Sequence, residues 1–502
     1  LRSPSCYHLR MTAKALTTRQ IIRAALVVVL GFIASGVLGL ARTGIFSVTF
    51  GAGEALDAFY AAQRIPELLF VLVAGGALGS AFIPVFSRLL SSDDPAGAWR
   101  LASAVMTCAG VAAALLALIA ALLAPWFVPN LLVPGASTAM KLLTTQLTQT
   151  MLITVVIFSV SGLLMGILNT QGVFSLPALA ASAKNIGEII GALLIVPLIP
   201  IWGASAAHLG YSPIWDISER GFPAQTGVFG LAYGAILGAA LHFLVQTPGL
   251  IRLYRKFPSA RLRWLPNPRA EGVGEVLRLM LPRIFGLAIT QINFLVNVVL
   301  TSGMIAGSRT ALTTAWTLMF FALGIIGQSI GTALFPTLAA LAASGDFAGF
   351  RRRLSGALRG VTLLAIPATI GMIVLGEWGI GLLFERIFGG GAWTADDTRA
   401  TAWALTFFAV GVVGHALLEV LSRGFYALSD TRTPVLIGAG AMIANIIFSL
   451  ILIRIIGNPA SLTRGTFAGL ALANSVTTLV EAGVLWLLLR RRLDRIQITT
   501  SD

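Results

Sequence analysis

Leu78 to Ser92 reads LGSAFIPVFSRLLSS, and Ile330 to Ser344 reads IGTALFPTLAALAAS. Gly79 matches Gly331 and Pro84 matches Pro336, each at an offset of 252 residues. A second pair, Gly166 to Pro177 and Arg423 to Pro434, repeats the end of an apolar run, a short polar turn and a proline at an offset of 257. Two such similar offsets point to an internal duplication. Outward from these segments the chain is a succession of apolar runs. A helix needs about 20 mostly apolar residues to cross the hydrocarbon of a bilayer. Twelve runs of that kind lie near 24–48, 56–87, 101–126, 141–168, 178–202, 228–251, 275–303, 310–341, 356–384, 399–424, 433–456 and 466–489. The repeated segments close the second and eighth runs, six apart, so the two halves have the same orientation and are parallel repeats. The fold class expected is an all-α polytopic membrane protein, with about 12 transmembrane helices in two six-helix lobes around a central cavity. The expected layout is a tail over 1–23, an N-lobe over 24–251, a basic linker over 252–273, a C-lobe over 274–490 and a tail over 491–502. Rocking of the lobes, giving alternating access, is the motion this geometry suggests.

Composition agrees. Of 502 residues 57% are hydrophobic even before 53 glycines are counted, and 11% are charged, against about 25% charged in soluble domains. That much apolar surface cannot be hidden from water, which excludes a soluble enzyme. The net charge of +15 is topological. With odd-numbered spans running outward, 23 of the 35 Lys and Arg fall on one side and 7 on the other, with Arg42, Arg64, Lys184, Arg278 and Arg283 inside spans. The positive-inside rule then places both termini in the cytoplasm, and no nucleic-acid partner is implied. Cys6 and Cys108 offer neither a disulfide framework nor a metal site. Met11 is the expected start, with Leu1 to Arg10 upstream of it, and the run from Ala24 reads as a retained span rather than a signal peptide.

A charge at membrane depth costs about 2.5 to 3.5 kcal/mol on insertion scales, so each one calls for a partner, a cavity or a role. Arg42, Asp57, Arg64, Lys184, Glu188, Arg283, Glu419 and Arg423 are the candidates for a hydrated cavity that binds a charged ligand. Plainer readings stand beside them. Arg42 and Arg423 lie near span ends and could snorkel, Asp57 could be a helix N-terminal charge, and Lys184 and Glu188 could neutralise each other on one helix face. Arg283 lies mid-span with no acid near it in sequence, which favours a function. Glu481 in the last span is open to either reading, while His242 and His415 read as packed residues. Asn293, Asn297, Asn445 and Asn474 read first as interhelical hydrogen-bonding groups and second as ion ligands. The sequence contains no HExxH or Walker motif, so catalysis and ATP hydrolysis by this chain are not expected.

From Val37 onward, VLGLARTGIFSVTFGAGEALDAFYAAQRIPELLFVLVAGGALGSAFIPVFS resembles the opening signature of the MurJ (MviN) type lipid II flippases of the multidrug/oligosaccharidyl-lipid/polysaccharide (MOP) exporter superfamily. GILNTQGVFSLPA, PRIFGLAITQINFLVN, GTALFPTL and GFYALSDTRTP continue the likeness in order over nearly the whole chain. The resemblance implies a transporter in the bacterial cytoplasmic membrane that serves peptidoglycan synthesis. It would move the head group of an undecaprenyl-pyrophosphate-linked precursor to the outer leaflet through a cationic cavity. By matching positions, the family's cavity arginine late in the first span falls on Arg42, its second-span aspartate on Asp57 and its basic residue before the Ile-Pro step on Arg64. Guanidinium groups suit a pyrophosphate because they bind it bidentately and stay charged. Other family positions differ: Gly36, Thr43, Phe70, Gly75, Trp316 and Thr317 stand where relatives carry charges, and two further C-terminal helices of many relatives are expected to be absent. Arg64 and Arg283 are expected to supply the lost charge. No cofactor is implied, and a coupling cation or the membrane potential is the expected bias. The expected partners are lipid II or a similar polyprenyl-pyrophosphate glycolipid, membrane lipid and proteins of cell-wall synthesis. Two other readings remain: a flippase for another polyprenyl-linked glycan or a MOP-type small-molecule exporter, and a transport-inactive cell-wall scaffold.

Overall fold

In lipid a backbone must satisfy its own N–H and C=O groups, which leaves helices as the economical solution for apolar runs. The computed structural model describes residues 18–73, 77–92, 94–195, 227–256, 261–267 and 269–501, with the side chains of 18–30, 32, 77–80, 256, 282, 283, 285, 286, 289, 290 and 496–501 outside the description. Every regular element among these residues is helical. The first lobe contains α1 (Thr18–Phe50), α2 (Glu54–Ala62), α3 (Arg64–Val73), α4 (Ala77–Ser91), α5 (Pro95–Phe127), α6 (Thr138–Met151), α7 (Ile153–Thr170), α8 (Ser175–Ile190), α9 (Phe229–Leu244) and α10 (Thr247–Lys256). The second contains α11 (Val273–Ser302), α12 (Ser308–Leu323), α13 (Ser329–Ala343), α14 (Phe347–Ile380), α15 (Ala395–Ala409), α16 (Val412–Ala427), α17 (Arg432–Leu452) and α18 (Ala468–Ser501).

Among the described residues nine helical stretches are long and apolar enough to cross a membrane, or ten when α15 and α16, bent by 46°, are taken as one. The second and seventh expected spans are not among these, and both run through residues outside the description, 74–76 and the side chains of 77–80 in the second and the side chains of 282, 283, 285, 286, 289 and 290 in the seventh. The expected end of the fifth span, beyond 195, lies outside the described residues, as does the tail over 1–17.

The duplication continues through the caps. Asp94 and Asp346 stand 252 residues apart and each accepts a hydrogen bond from a glycine N–H three residues on, Gly97 and Gly349, both at 2.7 Å. Ser137 and Thr394, 257 apart, likewise cap α6 and α15 by accepting from the N–H groups of Met140 and Asp397. Such caps satisfy N–H groups that the helix itself leaves orphaned. Pro84 and Pro336 both fall inside their helices, α4 and α13. Wide π-type turns follow α5 at Val128–Leu132 and α14 at Gly381–Ile387. The offset therefore grows by five between the end of the third span and the start of the fourth.

Glycine lets α8 and α9 touch backbone to backbone: a Cβ on Gly187 would stand 2.4 Å from the Cα of Gly238, and one on Gly191 equally close to Gly234. The connector between lobes starts later than expected, because α10 continues to Lys256. Its stretch over 261–267 is laced to α5, with the N–H of Arg263 donating to Ser103 (3.0 Å) and that of Leu265 to Thr107 (3.2 Å).

The lobes meet firmly at the end of the bundle remote from that connector. The N–H of Ala392 donates to the carbonyl of Val48 (2.8 Å), and that of Gly135 to the hydroxyl of Ser302 (3.2 Å). Gly307, at φ 90°, lies so close to Ala52 that a Cβ would sit 2.4 Å from its carbonyl oxygen. At the connector end the lobes are linked by an exposed bidentate pair between Arg88 and Glu275.

Candidate functional site

A cavity of about 440 Å³ opens inside the N-lobe, lined from α1, α3, α7, α8 and α9 and by Gln63 and Met151. Its polar wall includes Glu67, Lys184, Asn185, Glu188 and His242. This cavity belongs to the N-lobe, where α8 packs closely on α9 and on α1.

Helix α8 places Lys184 and Glu188 one turn apart, on the face that meets α1. Glu188, 1% exposed, accepts from the Arg42 Nη1 at 2.7 Å, and the Lys184 Nζ stands 3.7 Å from its other oxygen. The Nδ2 of Asn185 donates to the carbonyl of Ser35 (3.1 Å) and fixes α8 against α1. Arg42, only 20% exposed, is turned inward rather than snorkelling. A second pair lies nearby on α3, where Arg64 donates to Glu67 at 2.8 Å and its guanidinium stands 5.0 Å from the ring centre of Phe294 on α11. Arg64 is therefore one contact between the cavity region and the C-lobe. Buried Nε groups of both Arg42 and Arg64 have no hydrogen-bond partner.

Three expected residues lie elsewhere. Asp57 was expected on the cavity wall; instead it is buried at the lobe junction, where its Oδ2 accepts from the N–H of Gly307 (2.8 Å) and its Oδ1 from the N–H (2.7 Å) and hydroxyl (2.6 Å) of Thr310. It caps α12 of the opposite lobe rather than its own helix. Glu419 and Arg423 pair with each other on α16, and Arg423 reaches Thr332 on α13 at 3.3 Å. They stand away from the cavity lining. Arg283 falls on α11, and its side chain lies outside the described residues.

The asparagines bind one another's neighbourhoods. Asn293 donates to Asn445 (2.7 Å), which donates to Thr477 (3.2 Å), a chain across α11, α17 and α18. Asn474 bonds His415 at 3.0 Å, and Asn297 offers its carbonyl to Thr301 (2.7 Å). Among the described residues no group of three or more His, Cys, Asp or Glu is placed to hold a metal ion. Sequence reading passed over Gln63, Glu67 and Asn185, and took His242 for a packed residue. His242 lines the cavity while bonding Ser161 at 2.7 Å. The signal for Glu67 was available, since it follows Arg64 at the i,i+3 spacing of a helical ion pair.

A polytopic helical bundle of two parallel repeats, with paired charges buried at a cavity in one lobe, is the build of a membrane transporter rather than an enzyme. A family described as "MurJ: Lipid II flippase MurJ" matches residues 46–501, and the chain belongs to that family. The Burkholderia cenocepacia protein named "Lipid II flippase MurJ" is 31% identical over 470 residues, covering 93% of this chain and 84% of that one. The Haemophilus influenzae protein named "Probable lipid II flippase MurJ" is 30% identical over 472 residues, covering 90% and 83%. The fold is shared with a solved structure titled "Lipid II flippase MurJ, inward closed conformation", at a TM-score of 0.72 and 23% identity over 94% of this chain and 90% of that one. It is shared equally with an inward-facing multidrug resistance MATE family transporter of the MOP superfamily, at a TM-score of 0.72 and 17% identity over 93% and 96%.

Proposed function

We propose that the chain carries the head group of lipid II across the bacterial cytoplasmic membrane, with Arg42 receiving its pyrophosphate and the lobes rocking to expose the site to either side in turn. The observation that carries this reading is Arg42 held at membrane depth by Glu188, which lines the N-lobe cavity together with Lys184. A buried charge group of this kind is costly to keep unless it serves a ligand or a path. Arginine suits a pyrophosphate because its fork can engage two oxygens at once. The polyprenyl tail stays in lipid while the head group passes.

With both termini in the cytoplasm, as the distribution of Lys and Arg favours, the end closed by Asp57, Gly135 and Ala392 faces outward. The cavity is then poised to load from the cytoplasm. Membrane potential or a cation gradient biases the cycle, since the passage of a charged head group moves charge across the field. Reconstituted vesicles assayed for leaflet exchange of labelled lipid II test the reading. Exchange is expected with the wild-type chain and is expected to fall by at least about tenfold, 1.4 kcal/mol, in Arg42→Gln. No exchange by folded wild-type protein, with binding to a cell-wall synthase retained, would support a scaffold. Failure to replace a depleted lipid II flippase in cells would point to an exporter of another glycan or a small molecule.

A further inference from the structure

Two cations and one acid make an unequal group, and its bonding is incomplete. Glu188 engages only one nitrogen of the Arg42 guanidinium, at 2.7 Å. The Arg42 Nε and the Glu188 Oε1 are both buried without a hydrogen-bond partner. An ion pair kept for stability alone repays its desolvation only when its remaining donors and acceptors are filled. Here a donor on the arginine stays open, as it would for an incoming oxyanion able to take two nitrogens of the fork.

The other cation lies where Glu188 can move to it. Lys184 is one helical turn back on the same face of α8, with its Nζ 3.7 Å from the free Oε1. A rotation of the Glu188 side chain from Arg42 toward Lys184 keeps the acid paired and needs no helix to shift. Asn185, bonded to the backbone of Ser35, holds α8 on α1 independently of that rotation. Glu188 and Lys184 both line the cavity, so a ligand there reaches the pair directly.

We propose that Glu188 is a built-in stand-in for the substrate's phosphate, occupying Arg42 in the empty protein and passing to Lys184 when a pyrophosphate arrives. This rests on the head-group reading above and assigns Glu188 a positioning role within it. The acid keeps Arg42 neutralised between cycles and competes with the bound anion, so it weakens binding and speeds release. A side chain that only stabilised the fold would not change affinity and turnover in opposite directions.

The test uses the full chain in lipid nanodiscs with farnesyl pyrophosphate as probe, alongside lipid II exchange in vesicles. Glu188→Gln is expected to bind the probe on the order of tenfold more tightly, 1.4 kcal/mol, while its maximal exchange rate falls and its half-saturating lipid II concentration drops. Lys184→Gln removes the acid's alternative partner and is expected to bind the probe more weakly than wild type. If Glu188→Gln does not fold, Glu188→Asp, whose shorter reach loosens the hold on Arg42, is expected to bind more tightly than wild type. Folded Glu188→Gln or Glu188→Asp protein that binds no tighter, or Lys184→Gln that binds no more weakly, overturns the proposal. Arg42→Gln separates the two claims: undiminished probe binding there would defeat the head-group reading itself, whereas lost binding with unchanged Glu188 variants would defeat only the stand-in.

Discussion

Asp57 accepts both the backbone N–H and the hydroxyl of Thr310, joining the second span of one lobe to the start of the equivalent span of the other. The residue at the equivalent repeat position to Asp57 is Arg309, itself buried and donating to Thr301 at 2.8 Å. Hydrogen bonds to a charged group contribute about 1.5 to 3 kcal/mol each, so this contact helps hold the lobes together at the end remote from the connector. Asp57→Asn keeps the shape and removes the charge. It is expected to shift the population toward the state open at that end, read as a lengthened distance between spin labels on the 133–137 and 303–307 loops. Unchanged distances would show that the backbone contacts at Gly307 and Ala392 suffice alone.

The matched caps allow the duplication to be measured. Asp94 and Asp346 make the same bond to Gly97 and Gly349 at the same place in their lobes. Asp94→Ala and Asp346→Ala are each expected to cost about 1 kcal/mol, lowering the thermal transition by similar amounts. A large inequality between them would mean that the two lobes unfold separately, with one setting the observed transition.

How far the sequence revealed this arrangement depends on whether a signal was local. The spans, their parallel repeat and the Lys184–Glu188 pair were legible because apolar length and i,i+4 spacing are properties of neighbouring residues. Arg42 and Glu188 are 146 positions apart, and no spacing rule joins them. Asp57 showed the same limit: a carboxylate in a first helical turn reads as serving its own helix, and only the packed lobes reveal that it caps another. The close approach of α8 and α9 rests on paired glycines, where the sequence shows only that glycine is common.

Asn293 and Asn445 give a test of glue against ion site. Their mutual bond of 2.7 Å is buried and continues to Thr477. Asn293→Leu alone leaves Asn445 with one fewer partner in a dry interface and is expected to destabilise by about 0.6 to 2 kcal/mol. Replacing both with leucine should recover part of that loss, because no polar group then remains unpaired. The thermal transitions of the two single variants and the double variant measure the coupling. A dependence of the wild-type transition on sodium concentration that vanishes in Asn293→Leu would instead assign the pair to a cation.

Asp430 provides a pH-dependent brace at the other end of the molecule. It sits in the turn between α16 and α17, accepting from the N–H groups of Arg432 (3.1 Å) and Thr433 (3.0 Å), from the Thr433 hydroxyl (2.7 Å) and from Arg492 of α18. Desolvation opposes ionisation here, but the Thr433 bonds and the Arg492 charge outweigh it and hold the carboxyl below the ordinary aspartate range. A folded value below the unfolded value, which lies near about 3.9, means that the contribution is complete above the unfolded pKa and is lost as pH falls through the folded one. Asp430→Asn is therefore expected to be less stable than wild type by about 1 kcal/mol at neutral pH, with the deficit shrinking as pH falls below about 4. Thermal transitions of both proteins between neutral pH and pH of about 3 check this, and a deficit that stayed constant across that range would show that the turn depends on the shape of the side chain rather than on its charge.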